Sequence, residues 1–475
     1  MNLISITFIL FLLILLVIYY SINKQYQRFV LLLGSLMFYI WTNPFTIIFL
    51  LISIVSTWWL MKTPTRTHWY LTLIINLGLL IVFRYSFYWG VKDIIVPLGI
   101  SFYTFMTLGY AHSVYEKKIQ PCENLMHYAL YISYFPQIVE GPIGTYQDML
   151  PQLLQPHKFE MARIQSGAYR CLKGLFKKLV IAGRLNYYVD TVYSAPNLEG
   201  GLTLFVATFF YTIELYADFS GYMDIVCGVS EMLGIKLKEN FIRPYFSKTI
   251  QEFWRRWHIS LNEWFKEHLM MPAVTSGWNR KLSKALGKLF PKAKKGTLRT
   301  IFPLVLVWMV TGLWHGAEPV YIGWGIYYSV IMLFSICTTY YMKKVRQKFH
   351  WNDDLIGIKI FQVIRTYFIV LIGEVLFRAH TLSDAFYIYK TMLTNTRIHY
   401  ASIVAAMEPF GNGNQAVASV IIIALLIGGL FFVELRQEIN EQAFTKHRSV
   451  YAALMLVVLA LFSVTGQSNF MYQQF

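Results

Sequence analysis

Residues 301–317 read IFPLVLVWMVTGLWHGA, a run of apolar residues closed by Trp314, His315, Gly316 and Ala317. About 20 apolar residues cross a bilayer as a helix, so the run has nearly the length of a span. An ionisable ring at such a depth is costly, and His315 therefore needs a reason, structural or chemical. The chain around it says which solvent the fold answers to. Only 14% of the 475 residues are charged and 56% are hydrophobic, with 17% aromatic. A soluble domain carries roughly 25% charged residues. The deficit runs along the whole chain, which predicts a polytopic, all-α membrane protein rather than a soluble domain with an anchor. Leu3 to Asn23 lacks charge, a basic leader and a small-residue cleavage site, so it reads as a retained span. Phe29 to Met61 is also free of charge, and the break at Thr42–Phe45 divides it into two spans with a tight turn.

Further apolar windows place candidate spans near 69–86, 94–112, 125–140, 171–192, 203–217, 222–235, 300–316, 320–341, 358–377, 416–434 and 449–466. Several are short or carry charge, which brings the expected number of crossings to about eleven, with interfacial and re-entrant helices besides. The formal charge is +17, and the basic residues sit beside the spans. That pattern describes cytoplasmic loops facing anionic lipid, not nucleic-acid binding. The strongest such loop, from Asn279 to Arg299, holds eight Lys or Arg and no acid. Basic loops on the cytoplasmic side place both termini, and the His315 end of its span, toward the outside. The four cysteines are far apart, and neither a zinc site nor a disulfide framework is indicated. No internal repeat is evident, which weighs against an inverted-repeat transporter.

Three other stretches could carry chemistry. From Ile250 to Leu269, an aromatic arc of Phe253, Trp254, Trp257, Leu261, Trp264 and Phe265 opposes Arg255, Arg256, Asn262, Glu263 and Lys266, with His258 at the seam. This predicts an amphipathic helix lying at the headgroup level. In YADFSGYMD, Tyr216 to Asp224, the acids Asp218 and Asp224 follow Glu214 inside apolar sequence. They either pair with basic residues to hold helices together or line a wet cavity. Asn240, Arg243, Tyr245, Ser247, Arg255, Arg256 and His258 form a dense polar cluster, suited to an anionic donor group or to lipid headgroups. In Tyr134 to Leu153, Pro136, Gly141, Pro142 and Gly144 break helix near a membrane boundary, beside Glu140. His315 itself reads as a helix-end anchor or as a general base that takes a hydroxyl proton during attack on an acyl carbonyl.

FPQIVEGPI, ADFSGYMDI, ENFIRPYFSKTIQEFWRRWHISLNEWFKEHL, GLWHGA and EVLFRAHTLSDA occur in this order from Phe135 to Ala385. The chain resembles the membrane-bound O-acyltransferase family, and within it the bacterial alginate O-acetyltransferase branch. The resemblance implies a single membrane domain. N-terminal spans cover 1–92, a core covers 93–380 with a basic cytoplasmic segment at 236–299, and C-terminal spans and a tail cover 381–475. It further implies a ring of helices around a central tunnel in which a cytoplasmic acyl donor meets the catalytic His315. His258 matches the family's other recurrent histidine. Asp218, Asn240, Arg255 and Trp314 fall at lining positions. The ending FMYQQF has the F-x-Y-x-x-F form of related acyl-export systems, where the tyrosine hydroxyl receives the acyl group; its bland reading is an aromatic interfacial belt. Carried over, Tyr472 would be an acyl relay.

The implied activity is export of acetyl groups for O-acetylation of a cell-surface or exported polysaccharide by a multi-pass protein of the bacterial cell membrane. No cofactor would be bound; the donor would be acetyl-CoA or a similar activated acetyl, and an extracytoplasmic acetyltransferase partner would finish the transfer. The alternatives are D-alanyl transfer to teichoic acid from an acyl-carrier thioester, or a transporter or lipid flippase without acyl chemistry. Glu140 and Glu318 are acids where the family pattern does not lead one to expect them.

Overall fold

A computed structural model describes residues 2–42, 44–90, 95–289, 295–350, 352–397, 414–444 and 447–464. Among the described residues, six helices are long and apolar enough to cross a membrane: Arg66–Tyr85, Gly201–Met232, Gly296–His315, Pro319–Thr339, Ile356–Arg378 and Ala418–Ile439. Shorter apolar helices occupy Ile6–Ser21, Ile47–Met61 and Arg448–Phe462. No strand occurs among the described residues; a single bridge pairs Phe241 with Trp257. The all-helical expectation is met. In hydrocarbon the backbone must satisfy its own hydrogen bonds, and a helix does so within one segment.

Local sequence explains the helix ends. The Thr65 hydroxyl accepts from the His68 amide at 3.2 Å and opens the Arg66–Tyr85 helix. Thr381 accepts from the Asp384 amide at 3.1 Å, and its own hydroxyl donates to the Asp384 carboxylate at 2.8 Å. Pro319 occupies the first position of its helix, where a missing amide hydrogen costs nothing. Around the spans, polarity is turned inside out. Ile356, Ile360, Ile364, Phe368 and Ile372 recur on the exposed face of one helix, while Gln362, Thr366, Gly373 and Glu374 lie on its buried face. An apolar stripe directed outward suits lipid, and polar groups turned inward find partners or function.

The chain divides into two compact units. One draws on Met1–Lys178, Phe219–Asn240 and Arg448–Phe475, the other on Leu179–Asp218 and Phe241–His447. In the first, the Met161–Leu175 helix crosses the later part of Gly201–Met232 at glycines. A Cβ on Gly167 would lie 2.5 Å from the Gly228 carbonyl oxygen, and a Cβ on Gly228 2.5 Å from that of Gly167. This close approach lets Arg170 reach Asp224 at 3.1 Å and Lys177 reach it at 3.0 Å, with Lys173 at 4.0 Å. Arg170 also pairs with Glu239 at 2.5 Å. Of the two readings of the intramembrane acids, Asp224 takes the structural one.

In the second unit, Gly296–His315 and Pro319–Lys348 form an antiparallel pair joined by Gly316, Ala317 and Glu318. Gly312 meets the Tyr321 carbonyl, and a Cβ on Gly325 would stand 2.6 Å from the Trp308 carbonyl oxygen. The two backbones therefore touch, as small residues allow between membrane helices.

Two sequence expectations are corrected. The separate spans at 203–217 and 222–235 are one helix, Gly201–Met232. Gly221 does not break it, because the bare backbone there packs against Gly174. The continuous helix from Ile250 to Leu269 is interrupted: Ile250–Arg256 and Ile259–Phe265 are separated by Trp257 and His258. The Asn262 amide stabilises the break by donating to the carbonyls of Trp254 at 2.7 Å, Trp257 at 2.6 Å and His258 at 3.2 Å.

The glycine crossing yields a test. Replacing Gly228 with Leu drives the side chain into the Gly167 carbonyl and should cost about 1–3 kcal/mol through overpacking. The thermal midpoint in detergent should drop by several degrees, whereas Gly78→Ala, with nothing within 4 Å of the new methyl, should leave it in place.

Candidate active site

The tight hairpin fixes His315 as the last residue of its helix, and the ring is buried at 5% exposure. Aromatic rings enclose it. Centroids lie 4.7 Å away for Trp314, 4.8 Å for Phe377, 5.2 Å for Trp324 and 6.4 Å for Tyr321. Trp324 and Phe377 meet it edge to face. In sequence it is flanked by two glycines, Gly312 and Gly316. A Cβ on Gly316 would lie 2.5 Å from Glu318 Oε2 and closer still to the Tyr321 ring. Glycine at 316 is what lets the chain turn here without displacing that ring. The aromatic enclosure restricts water around the imidazole, a setting that strengthens electrostatic effects on any reacting group.

His258 approaches from the interrupted segment. Its φ of 45° is left-handed, an uncommon backbone for a residue with a Cβ. Its ring packs on Trp314 with centroids 6.2 Å apart, so Trp314 touches both histidines. The turn that delivers His258 is tied on both flanks. The Ile242 amide donates to the Arg256 carbonyl at 3.0 Å beside the Phe241–Trp257 bridge. Arg243, also left-handed with φ of 44°, donates to Glu438 at 2.7 Å, and Arg256 donates to the same carboxylate at 2.9 Å and to Glu252 at 2.7 Å. Such backbone conformations persist only where surrounding contacts over-determine them, and they gather at functional sites. Burial alone pushes the His258 imidazole down to about 3, so its ring is neutral at physiological pH.

The other sequence-selected residues scatter. Asp218 is buried in the second unit. Arg255 is exposed, while its neighbour Arg256 makes the Glu438 and Glu252 pairs. Asn240 belongs to the first unit, where its amide donates to the Met223 sulfur at 3.2 Å. Tyr472 lies outside the described residues. Glu140 is buried at 2% exposure in the first unit. Sequence reasoning missed Phe377 and Glu438. Phe377 stood inside EVLFRAHTLSDA and was available to notice; Glu438, near the end of an apolar helix, carried no local signal. No group of three or more His, Cys, Asp or Glu able to hold a metal ion occurs among the described residues.

His315 is thus a buried imidazole at a helix end, boxed by aromatic rings and flanked in sequence by glycines. Residues 34–378 match the model of the MBOAT, membrane-bound O-acyltransferase family, and the chain belongs to that family. It is an acyltransferase and a membrane protein. Its relatives include a probable alginate O-acetylase of Pseudomonas syringae pv. tomato, 30% identical over 411 residues, covering 81% of this chain and 73% of that one. A peptidoglycan O-acetyltransferase of Helicobacter pylori is 28% identical over 420 residues, covering 79% and 75%. A teichoic acid D-alanyltransferase of Bacillus subtilis is 30% identical over 290 residues, covering 60% and 69%.

The buried His258 carries a pH consequence. In the unfolded chain its imidazole takes a proton near 6.5, while in the folded chain it does so only near 3. Between those values the unfolded state binds more protons, so acidification from 6.5 toward 3 lowers stability and pH above 6.5 does not change it through this group. Thermal midpoints measured from pH 7 to pH 4 should fall, and His258→Gln should reduce the fall. An identical slope in that variant would remove the buried histidine as a contributor.

Proposed function

We propose that this chain is an O-acetyltransferase of the bacterial cytoplasmic membrane. It moves acetyl groups from a cytoplasmic thioester donor across the bilayer for O-acetylation of a cell-surface or exported polysaccharide. The observation that carries this reading is His315, buried among Trp314, Trp324 and Phe377 at the tip of a glycine-packed helical hairpin. The relatives that act on alginate and peptidoglycan support acetyl as the group and a polysaccharide as the final acceptor.

In the proposed step, His315 takes the proton of an attacking hydroxyl as its oxygen bonds to the thioester carbonyl carbon. The tetrahedral intermediate collapses, the carbon–sulfur bond breaks, and the imidazolium returns the proton to the departing thiolate. One thioester is cleaved and one ester formed. The attacking hydroxyl is that of Tyr472, and an extracytoplasmic transferase passes the acetyl group from it to the polysaccharide. A covalent relay divides one crossing into two local transfers. His258 supports the site as a neutral ring against Trp314. Asp218 and Arg255, in the same unit as His315, line or back the donor's route.

The likeness to a D-alanyltransferase keeps a second acyl group in view, and the same experiment separates the two. Purified protein is incubated with labelled acetyl donor or labelled D-alanyl carrier, and the C-terminal peptide is analysed by mass spectrometry, wild type beside His315→Ala. Acetyl label on Tyr472 in wild type, lowered about 10²–10⁴-fold in rate by removal of the base, is the expected result. Alanyl label without acetyl label would replace the acetyl reading. Equal label in both proteins would return His315 to the role of a helix-end anchor. Substrate flux that persists in His315→Ala with no ester formed on any hydroxyl would point to a transporter.

A further inference from the structure

One turn beyond the His315 enclosure, the second unit buries a carboxylate that the proposed mechanism does not use. Glu374 is 4% exposed, and its Oε2 has no hydrogen-bond partner among the described residues. It lies three residues before Phe377 on the same helix, and Phe377 packs on His315. On the neighbouring helix, Tyr328 follows Trp324 by four residues, and Trp324 packs on His315. Tyr328 is fully buried, and its hydroxyl also has no partner among the described residues. A helical turn rises about 5.4 Å, so these two polar groups form a layer one turn from the histidine. The layer lies toward the basic Lys343–Lys348 end of the Pro319–Lys348 helix. Gly373 brings them together, since a Cβ there would stand 2.5 Å from the Tyr328 hydroxyl oxygen.

Other phenols lie within electrostatic range of Glu374, and each donates its hydrogen elsewhere. Tyr327 donates to the Ile369 carbonyl at 2.7 Å, Tyr389 to the Ile372 carbonyl at 2.6 Å and Tyr245 to the Thr212 carbonyl. Thr208 and Thr212 turn their own hydroxyls to backbone carbonyls, so Tyr193 and Tyr367 are the donors to them. Tyr328 is the phenol left over. A buried donor and a buried acceptor without partners need an explanation, because leaving such groups unsatisfied destabilises a fold. The walls beside them are aromatic: Trp254, Trp308 and Trp324 lie 4.8, 5.0 and 5.0 Å from the Tyr328 ring.

A phenolic donor and a carboxylate acceptor set among aromatic rings, with the indole N–H groups of Trp254 and Trp324 also without partners among the described residues, complement a secondary amide on an aliphatic arm. We propose that Tyr328 and Glu374 are a subsite for the first amide of a pantetheine-linked acyl donor. Tyr328 donates to the amide oxygen, and Glu374 accepts from the amide N–H. This rests on the acyl-transfer reading above and names the donor class for the same site. In such a donor two methylene groups separate the thioester sulfur from the amide nitrogen. That interval is comparable with the helical turn of about 5.4 Å between the His315 layer and this one. Coenzyme A thioesters and carrier-protein thioesters share this arm and differ only beyond it.

The test uses the full chain in lipid nanodiscs and two small acetyl donors. S-acetyl-N-acetylcysteamine has the amide; S-butyl thioacetate lacks it. The readout is the ratio of their kcat/KM values, which a merely structural defect does not move. Two hydrogen bonds predict a wild-type ratio of at least about tenfold. Tyr328→Phe and Glu374→Leu should each bring the ratio toward one, and Glu374→Gln, which keeps an acceptor oxygen, should retain most of it. A wild-type ratio near one, or a ratio unchanged in both Tyr328→Phe and Glu374→Leu, overturns the subsite while leaving acyl transfer standing. Acetyl-CoA and an acetyl-loaded carrier protein are run beside them. The source is the one that serves wild type and loses activity in Tyr328→Phe. Transfer from none of the four donors overturns the acyl-transfer reading and the subsite with it.

Discussion

The contact of bare backbone between Gly296–His315 and Pro319–Lys348 is the constraint on which the second unit depends. Gly312 lies on the Tyr321 carbonyl and Gly325 on that of Trp308. Between membrane helices there is no hydrophobic drive to associate, so close packing must supply the attraction. With the backbones in touch, the large side chains are displaced sideways. Trp308, Trp324 and Tyr328 then stack into the same layers as Trp254. His315 is positioned by the same contact, because the hairpin closes one residue after it. A methyl group at either glycine would move the imidazole along with its helix.

Opposing demands meet at the segment that carries His258. Its aromatic residues favour burial, and its arginines and glutamates favour water. The structure resolves this by breaking the helix. Trp257 pairs with Phe241, Asn262 satisfies the freed carbonyls, and the charged flanks collect on Glu438. Two left-handed residues, Arg243 and His258, result. Each is held by bonds to groups outside its own turn, which is how a conformation costing about 1–3 kcal/mol is kept.

Much of this was legible in the sequence because lipid imposes simple rules. The charge deficit, the apolar windows and the basic loops gave the helical membrane class, and GLWHGA drew attention to His315 before any neighbour was known. What escaped depended on contacts distant in sequence. FSGYM reads as a break between spans, yet Gly221 continues a helix because Gly174 packs on it. Periodicity at 100° per residue makes Ile250–Leu269 one helix and has no means of registering that Asn262 would turn back on Trp257. Arg255 and Arg256 are indistinguishable in composition, and only the placement of Glu438 makes one a structural donor and leaves the other exposed. Asp224 fell to the structural side of an open choice once Arg170 and Lys177 were seen to face it.

Glu438 has a consequence for where this enzyme can be cut. The family match closes at residue 378, yet the two guanidinium groups that brace the His258 turn are both anchored on a carboxylate beyond that point. A boundary drawn by sequence likeness is thus not a mechanical boundary. A fragment ending at 378 would retain His315 and His258 but strand Arg243 without its counter-charge, releasing a backbone that has no intrinsic preference for its present shape. The helix ending at Ile439 serves as a brace for residues nearly two hundred positions earlier, and the smallest autonomous form of the second unit has to include it.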